Sequence, residues 1–105
     1  MLPDEYPCPI EKTIQTVGGK WTFLILRNMF QGKKRFNQLQ RNLKGISPRT
    51  LSSRLKELEL ANIITRRVFP ETPPHVEYSL TKKGEELLPI FEAMRTWGNT
   101  WEIMK

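Results

Sequence analysis

The fold of this chain is decided by residues 47–62, which read SPRTLSSRLKELELAN. Ser47 offers a side-chain oxygen as an N-cap, and Pro48 stands at the first helical position, where a missing N–H costs nothing. Three leucines follow at i, i+4 and i+7, a spacing that gives a helix one apolar stripe. Asn62, which tolerates a left-handed backbone, ends the helix predicted over about 47–61. The leucines of the buried stripe are Leu51, Leu55 and Leu58.

The outward face of this predicted helix is small, polar and positively charged. Three of its residues lie about 140–200° from Leu51 on a helical wheel, and a fourth flanks them at about 100°. Short hydroxyl side chains permit close approach to base edges in a DNA major groove, while arginine and lysine reach guanine acceptors or phosphates. On the other flank, Arg54 is better placed for a phosphate than for a base. The candidate DNA-contact residues of this helix are Arg49, Thr50, Ser52, Ser53, Arg54 and Lys56.

Positive charge is concentrated in the middle of the chain. The 105 residues contain 17 Lys and Arg against 11 Asp and Glu, a net charge of +6. Residues 21–69 carry a net charge of +9, whereas residues 1–20 carry −1 and residues 70–105 carry −2. Such a block favours a polyanionic partner, nucleic acid before a membrane, because no basic helix with a bulky apolar face accompanies it. A basic surface that only aids solubility is the alternative, and charge alone does not separate the two.

Composition and motifs exclude several classes of protein. No stretch approaches the ~18 unbroken apolar residues of a membrane span, and no secretory signal is visible at the N-terminus. One cysteine and one histidine cannot form an internal disulfide or a Cys/His metal site. His75 lies in a proline-rich loop without a nucleophile or base nearby, and no phosphate-binding glycine loop is present. We therefore expect a single cytoplasmic domain over residues 1–105, with no cofactor and no enzymatic activity.

The residues before position 47 predict three helices. A first short helix begins at Pro9, and Gly18 and Gly19 end it. Residues 21–30 are apolar nearly all round, which predicts the central buried helix. Arg35-Phe36 is a candidate edge strand, and a brief third helix follows with Asn37 as its N-cap and Gln40 in the capping-box position.

The pattern changes from helical to alternating after Asn62. Residues 63–69 are rich in β-branched side chains, apolar and polar residues alternate over 76–80, and the loop between them is rich in proline. These features predict a β-hairpin over about 63–80. Helix, short turn, helix and hairpin is the order of a winged helix-turn-helix, a mostly α fold with a small β-hairpin (α+β).

Arg66 and Arg67 lie on opposite faces of the first strand of the hairpin, so only one of them can face DNA. The alternative for either arginine is a surface cation that discourages pairing with another strand at the sheet edge.

The C-terminal segment predicts a helix over about 82–104, capped by Thr81 and kinked or divided at Pro89. Its apolar stripe, which continues to Met104, is wider than a domain of this size needs for its own core, and Gly98 on the stripe permits close helix approach. We therefore expect N- and C-terminal helices to form a homodimer interface, the alternative being that the stripe covers only the domain's own core. The candidate interface residues are Ile10, Ile14, Leu87, Ile90, Phe91, Met94, Trp97 and Trp101.

An ordered set of short motifs resembles the HxlR family of winged helix-turn-helix transcription regulators. The set covers about residues 6–101 and includes Cys8-Pro9-Ile10, Gly18-Gly19-Lys20-Trp21, Arg35-Phe36-Asn37, Gly45-Ile46-Ser47 and Val76-Glu77-Tyr78-Ser79-Leu80-Thr81. The resemblance implies a homodimer that binds operator DNA, with 47–60 as the DNA-recognition helix and 63–80 as the wing. Two positions depart from the family pattern. Asn62 stands where glycine is common, and His75, the expected wing-tip DNA contact, stands where lysine or arginine is common.

Cys8 has two interpretations. Some members of the family that the chain resembles use a cysteine at this place to sense oxidants or electrophiles, so the resemblance implies a possible redox site. The alternative is an inert cysteine packed under the first helix.

The sequence therefore predicts a sequence-specific regulator of transcription that binds double-stranded DNA as a homodimer on an inverted-repeat operator. A winged-helix module that binds an acidic protein is one alternative, and a redox-responsive regulator switched through Cys8 is another. The small-molecule effector, if one exists, cannot be identified from the sequence.

Overall fold

The computed structural model of the chain describes residues 8–102, so Met104 and the predicted end of the last helix lie outside the described residues. The structure is mostly helical with a small antiparallel sheet, which confirms the predicted winged-helix class. No helix among residues 8–102 is long and apolar enough to cross a membrane. The elements are α1 (Pro9–Val17), α2 (Lys20–Met29), β1 (Lys34–Arg35), α3 (Phe36–Asn42), α4 (Pro48–Leu60), β2 (Ile64–Phe69), β3 (His75–Leu80), α5 (Lys82–Glu85) and α6 (Leu88–Trp101).

Helix α4 forms as its sequence predicts. Ser47 Oγ accepts a hydrogen bond from the Thr50 N–H at 3.0 Å, and Pro48 begins the helix. Asn62 has φ 62°, the left-handed conformation expected where the helix ends. The three leucines of the stripe are each 2% exposed or less, so α4 is anchored in the core along one side.

The start of α3 differs from the prediction. The edge strand is Lys34–Arg35, and α3 begins at Phe36, not after Asn37. Gln38 Oε1 accepts the Arg35 N–H at 2.8 Å, so this glutamine caps the helix two residues earlier than expected. Phe36, the first residue of α3, packs against the core.

The sheet has strand order β1-β3-β2, with both pairs antiparallel. Tyr78 of β3 pairs with Arg66 of β2, and Glu77 pairs with Arg67, so Arg66 and Arg67 lie on opposite faces. Tyr78 is buried and belongs to the face that covers the core. The Glu77 face is the outer face of the sheet.

The predicted C-terminal helix is divided at Pro89, which lies in the first turn of α6. Thr81 Oγ1 accepts the Gly84 N–H at 3.0 Å and so caps α5, as predicted. Gly84 lies directly against the Ile63 carbonyl, where no side chain would fit. This short helix therefore lies directly against the base of the hairpin, where β2 begins.

Candidate nucleic-acid interface

The exposed side of α4 carries four of the predicted contact residues together. Because the leucine stripe is buried, the opposite side of the helix faces outward along its whole length. Two of the predicted residues have partners within the chain instead. Thr50 is half-buried and accepts a hydrogen bond from Ser47 Oγ at 3.0 Å, and Arg54 lies 3.2 Å from a Glu57 carboxylate oxygen. The exposed residues of the face are Arg49, Ser52, Ser53 and Lys56.

The N-terminus of α4 lies at the same surface as this face. Its first-turn N–H groups have no carbonyl acceptors within the helix, and the helix dipole places partial positive charge there. Ser47 satisfies the N–H of Thr50, while Arg49 adds a full positive charge beside the helix end. A phosphate group is the chemistry that this combination favours.

A groove between α4 and β2 distinguishes the two wing arginines. Lys56 and Arg66 both line this groove, together with the exposed side chain of Leu60. Arg67 lies on the opposite face of the sheet, with its guanidinium carbon 4.8 Å from the centre of the Phe69 ring. The geometry therefore places Arg66 beside α4 and Arg67 away from it.

His75 is occupied by partners within the chain. Its Nδ1 lies 3.2 Å from Glu71 Oε1 and its Nε2 lies 3.4 Å from Glu77 Oε2, and its ring stacks on Phe69 with centroids 4.6 Å apart. The side chain is only 15% exposed. A ring held between two carboxylates is poorly available to a phosphate, so we leave His75 out of the proposed DNA contacts, in contrast to the sequence-based expectation.

Two hydrogen bonds of amide side chains, neither of which the sequence predicts, connect the helices beneath the candidate interface. Asn42 Nδ2 of α3 donates to Asn28 Oδ1 of α2 at 3.0 Å. Gln40 Nε2 of α3 donates to the carbonyl of Ile46, in the turn before α4. Hydrogen bonds of this kind orient α4 relative to α2 and α3. Polar residues on short helices give no periodic signal, so the sequence offered no means of finding them.

The terminal helices expose most of the predicted interface residues. Helix α1 buries none of its residues, and Ile10 and Ile14 are exposed. Leu87 and Phe91 are instead buried in the chain's own core, where the Phe91 ring lies 5.5 Å from the Phe23 ring. The candidate dimer surface therefore excludes Leu87 and Phe91 and keeps only the exposed residues. On α6 these are Ile90, Met94, Trp97 and Trp101.

Comparison with known proteins agrees with this geometry. The model of the family described as HxlR-like helix-turn-helix matches residues 16–105. The chain belongs to the HxlR-like helix-turn-helix family. This HxlR-like chain is 43% identical over 101 residues to an uncharacterized HTH-type transcriptional regulator of Methanothermobacter thermautotrophicus, a match that spans 96% of this chain and 77% of the relative.

Solved structures of similar proteins include two regulators. The redox regulator HypR in its oxidized form is 42% identical to the HxlR-like chain, with a TM-score of 0.83, over 92% of this chain and 100% of HypR. The reduced form of the transcriptional regulator YodB from B. subtilis is 38% identical, with a TM-score of 0.82, over 90% of this chain and 94% of YodB. The relative from Methanothermobacter thermautotrophicus and YodB are both described as transcriptional regulators, and HypR is described as a redox regulator.

Proposed function

We propose that the protein is a sequence-specific regulator of transcription that binds double-stranded DNA as a homodimer on an inverted repeat. The observation that supports this proposal best is the exposed face of α4. It presents two cations and two short hydroxyl side chains on one side of a helix whose other side is buried. An α-helix fits a B-DNA major groove, which is about 12 Å wide.

The proposed contacts fall into two classes. Arg49, Ser52, Ser53 and Lys56 of α4 lie where base edges would be reached, and arginine or lysine binds the two acceptors of guanine. The N-terminus of α4 and Arg66 of the wing would bind phosphates on either side, which position the helix without reading sequence. Because such contacts release counterions, we expect the affinity to fall steeply as the salt concentration rises.

The homodimer is supported by apolar surface on the terminal helices. Trp97 and Trp101 of α6 are 60% and 68% exposed, and Ile10 and Ile14 of α1 are exposed as well. Large adjoining apolar side chains on a surface mark an interaction site, and a second copy is the simplest occupant. Two-fold symmetry would present two α4 helices to one side of a duplex, with half-sites about 10 bp apart or a multiple of that.

Replacement of Arg49 tests the proposal. Duplexes would first be selected from a random library with the wild-type protein, and affinity would then be measured by fluorescence anisotropy. We expect Arg49→Ala to weaken binding by about 1–3 kcal/mol, about tenfold for each 1.4 kcal/mol, and to relax sequence preference. Arg95→Ala removes the same side chain from exposed α6 and serves as the matched control, with little expected change.

Equal affinity of Arg49→Ala and wild type would contradict the assignment of α4. If the wild-type protein selects no duplex at physiological salt but binds an acidic protein tightly, the protein-interaction alternative is correct instead.

Regulation through Cys8 is a second candidate function. Cys8 is a free, half-buried thiol at the N-cap of α1, and the similar protein HypR is described as a redox regulator. As the chain has one cysteine, oxidation would give an intersubunit disulfide, a mixed disulfide or a sulfenic acid. Intact-mass analysis after mild peroxide or quinone treatment tests this candidate. A modified Cys8 supports it, and an unmodified thiol in the folded protein excludes it.

A further inference from the structure

The outer face of the three-stranded sheet places one carboxylate among several cations. Glu77 lies on the central strand β3, and the register sets Arg35 of β1 and Arg67 of β2 directly opposite it. The Glu77 carboxylate lies 3.7 Å from Lys33 Nζ and 4.0 Å from Arg35 Nε. Its side chain is 16% exposed, so this carboxylate is largely removed from water.

The same carboxylate is connected to the tip of the wing through His75. Glu77 Oε2 lies 3.4 Å from His75 Nε2, and the other ring nitrogen of His75 lies 3.2 Å from Glu71 in the loop. The His75 ring also stacks on Phe69, which in turn lies under the guanidinium of Arg67. The contacts run without interruption from β1 to the wing tip, defined here as residues 69–75.

On electrostatic grounds alone, the negative charge of Glu77 is unfavourable for DNA binding. A carboxylate in the wing repels phosphates, so its removal would be expected to strengthen DNA binding. Isolated surface ion pairs contribute little to stability, about 0–1 kcal/mol. A largely buried carboxylate shared by three groups belongs to a network, where the effect on geometry exceeds that of a single pair.

We propose that Glu77 is a positioning residue for DNA binding, which holds His75 and thereby fixes the wing tip relative to the sheet. The effect of Glu77 on DNA affinity rests on the proposed DNA-binding function. The effect of Glu77 on the position of His75 is a property of the free protein and does not depend on that function. Glu77 contacts no DNA in this account. It acts through His75 and through the cations of β1.

The free protein provides the first test. His75 is the only histidine of the chain, so its imidazole protons give a single set of NMR signals. We expect the stacked Phe69 ring to shift these signals upfield in the wild-type protein. We expect Glu77→Gln to remove much of this upfield shift and to accelerate amide exchange at Glu71 and His75. Glu86→Gln, which removes the same charge from an exposed residue outside the wing, is the matched control and leaves both unchanged. Unchanged His75 signals in Glu77→Gln would overturn the proposal, whether or not the protein binds DNA.

DNA binding provides the second test, on duplexes selected with the wild-type protein. We expect Glu77→Gln to bind about three- to tenfold more weakly than wild type, although it carries one negative charge less. Hydroxyl-radical footprints of Glu77→Gln lose protection at the flank contacted by the wing and keep it where α4 binds. Affinity equal to or tighter than that of wild type, with an intact footprint, contradicts the proposal.

Two further variants distinguish loss of positioning from loss of folding. If Glu77→Gln fails to fold, Glu77→Asp retains the charge on a shorter side chain, and His75→Gln removes the link to the tip while it leaves Glu77 in place. Positioning predicts that His75→Gln reproduces the loss of protection at the wing flank and that Glu77→Asp recovers part of it. Loss of protection spread evenly over the whole site in both variants would indicate general destabilisation and overturn the proposal. A wild-type protein that selects no duplex, with the His75 signals still altered by Glu77→Gln, contradicts the proposed function and leaves the positioning role supported.

Discussion

Helix α4 and the outer face of the sheet use their positive charges in opposite ways. On α4, Arg49 and Lys56 are exposed on a face with no acidic side chain within ion-pair distance of either, among the described residues 8–102. On the outer face of the sheet, Lys33, just before β1, and Arg35 of β1 share the carboxylate of Glu77. Unpaired cations attract a polyanion, whereas paired cations stabilise the sheet that carries the wing. The two regions show that a net charge per segment does not identify a binding surface, because pairing determines which charges are available.

The largest effect is expected from the buried side of α4. Leu55→Ala removes a fully buried side chain and should lower the free energy of unfolding by about 2–5 kcal/mol, because it leaves a cavity under the helix. Chemical denaturation followed by circular dichroism measures this. Leu60→Ala, at the exposed end of the same helix, is the control and should change stability by about 0.5 kcal/mol or less. Equal losses in the two variants would show that the leucine stripe does not anchor α4.

The fold could be predicted from the sequence largely because its signals are local. The leucine spacing of α4, the caps Ser47 and Thr81 and the break at Pro89 each depend on a few neighbouring residues, and the structure confirms them. The start of α3 is the local exception, because Gln38 and not Gln40 supplies the capping oxygen. Gln38 and Gln40 lie two residues apart in one short segment, and the sequence pattern alone does not distinguish them.

The contacts around the wing and α6 were less predictable than the exposed face of α4, because they join residues that are distant in sequence. Glu77 pairs with Arg35, which lies far away in the sequence, and no local pattern predicts this contact. The resemblance implies a DNA contact at His75, and it gives no sign of the two carboxylates that lie beside the ring nitrogens. A helical wheel places Phe91 on the exposed stripe because it shows only one helix, whereas the burial of Phe91 depends on α2.

An intermediate effect is expected at the N-cap of α4, where stability and DNA binding can be separated. Ser47→Ala loses the bond to the Thr50 N–H and should lower stability by about 1 kcal/mol, measured by thermal unfolding. Ser47→Asp retains a capping oxygen and should keep near-wild-type stability, yet it should weaken DNA binding, because its carboxylate faces the proposed phosphate. Tighter binding by Ser47→Asp would exclude a phosphate at this helix end.

The smallest effect is expected from the two wing arginines, which form a matched pair. Arg66→Ala should weaken DNA binding a few-fold, uniformly across sequences, and reduce the slope of log affinity against log salt by about 1. Arg67→Ala should change both quantities much less, because its guanidinium lies on the opposite face of the sheet, over Phe69. Anisotropy titrations at several salt concentrations measure both. The reverse order of effects would show that the wing presents its other face to DNA.

The contact surface itself can be mapped residue by residue with NMR, by titrating the isotope-labelled protein with a duplex selected from random DNA. We expect the largest shifts in the backbone signals of α4, at Arg49, Ser52, Ser53 and Lys56. Those of Arg66 should follow, and the signals of Lys33 and Arg35 should move little. Shifts concentrated on the outer face of the sheet or on α6, with α4 unaffected, would contradict this assignment of the contact surface.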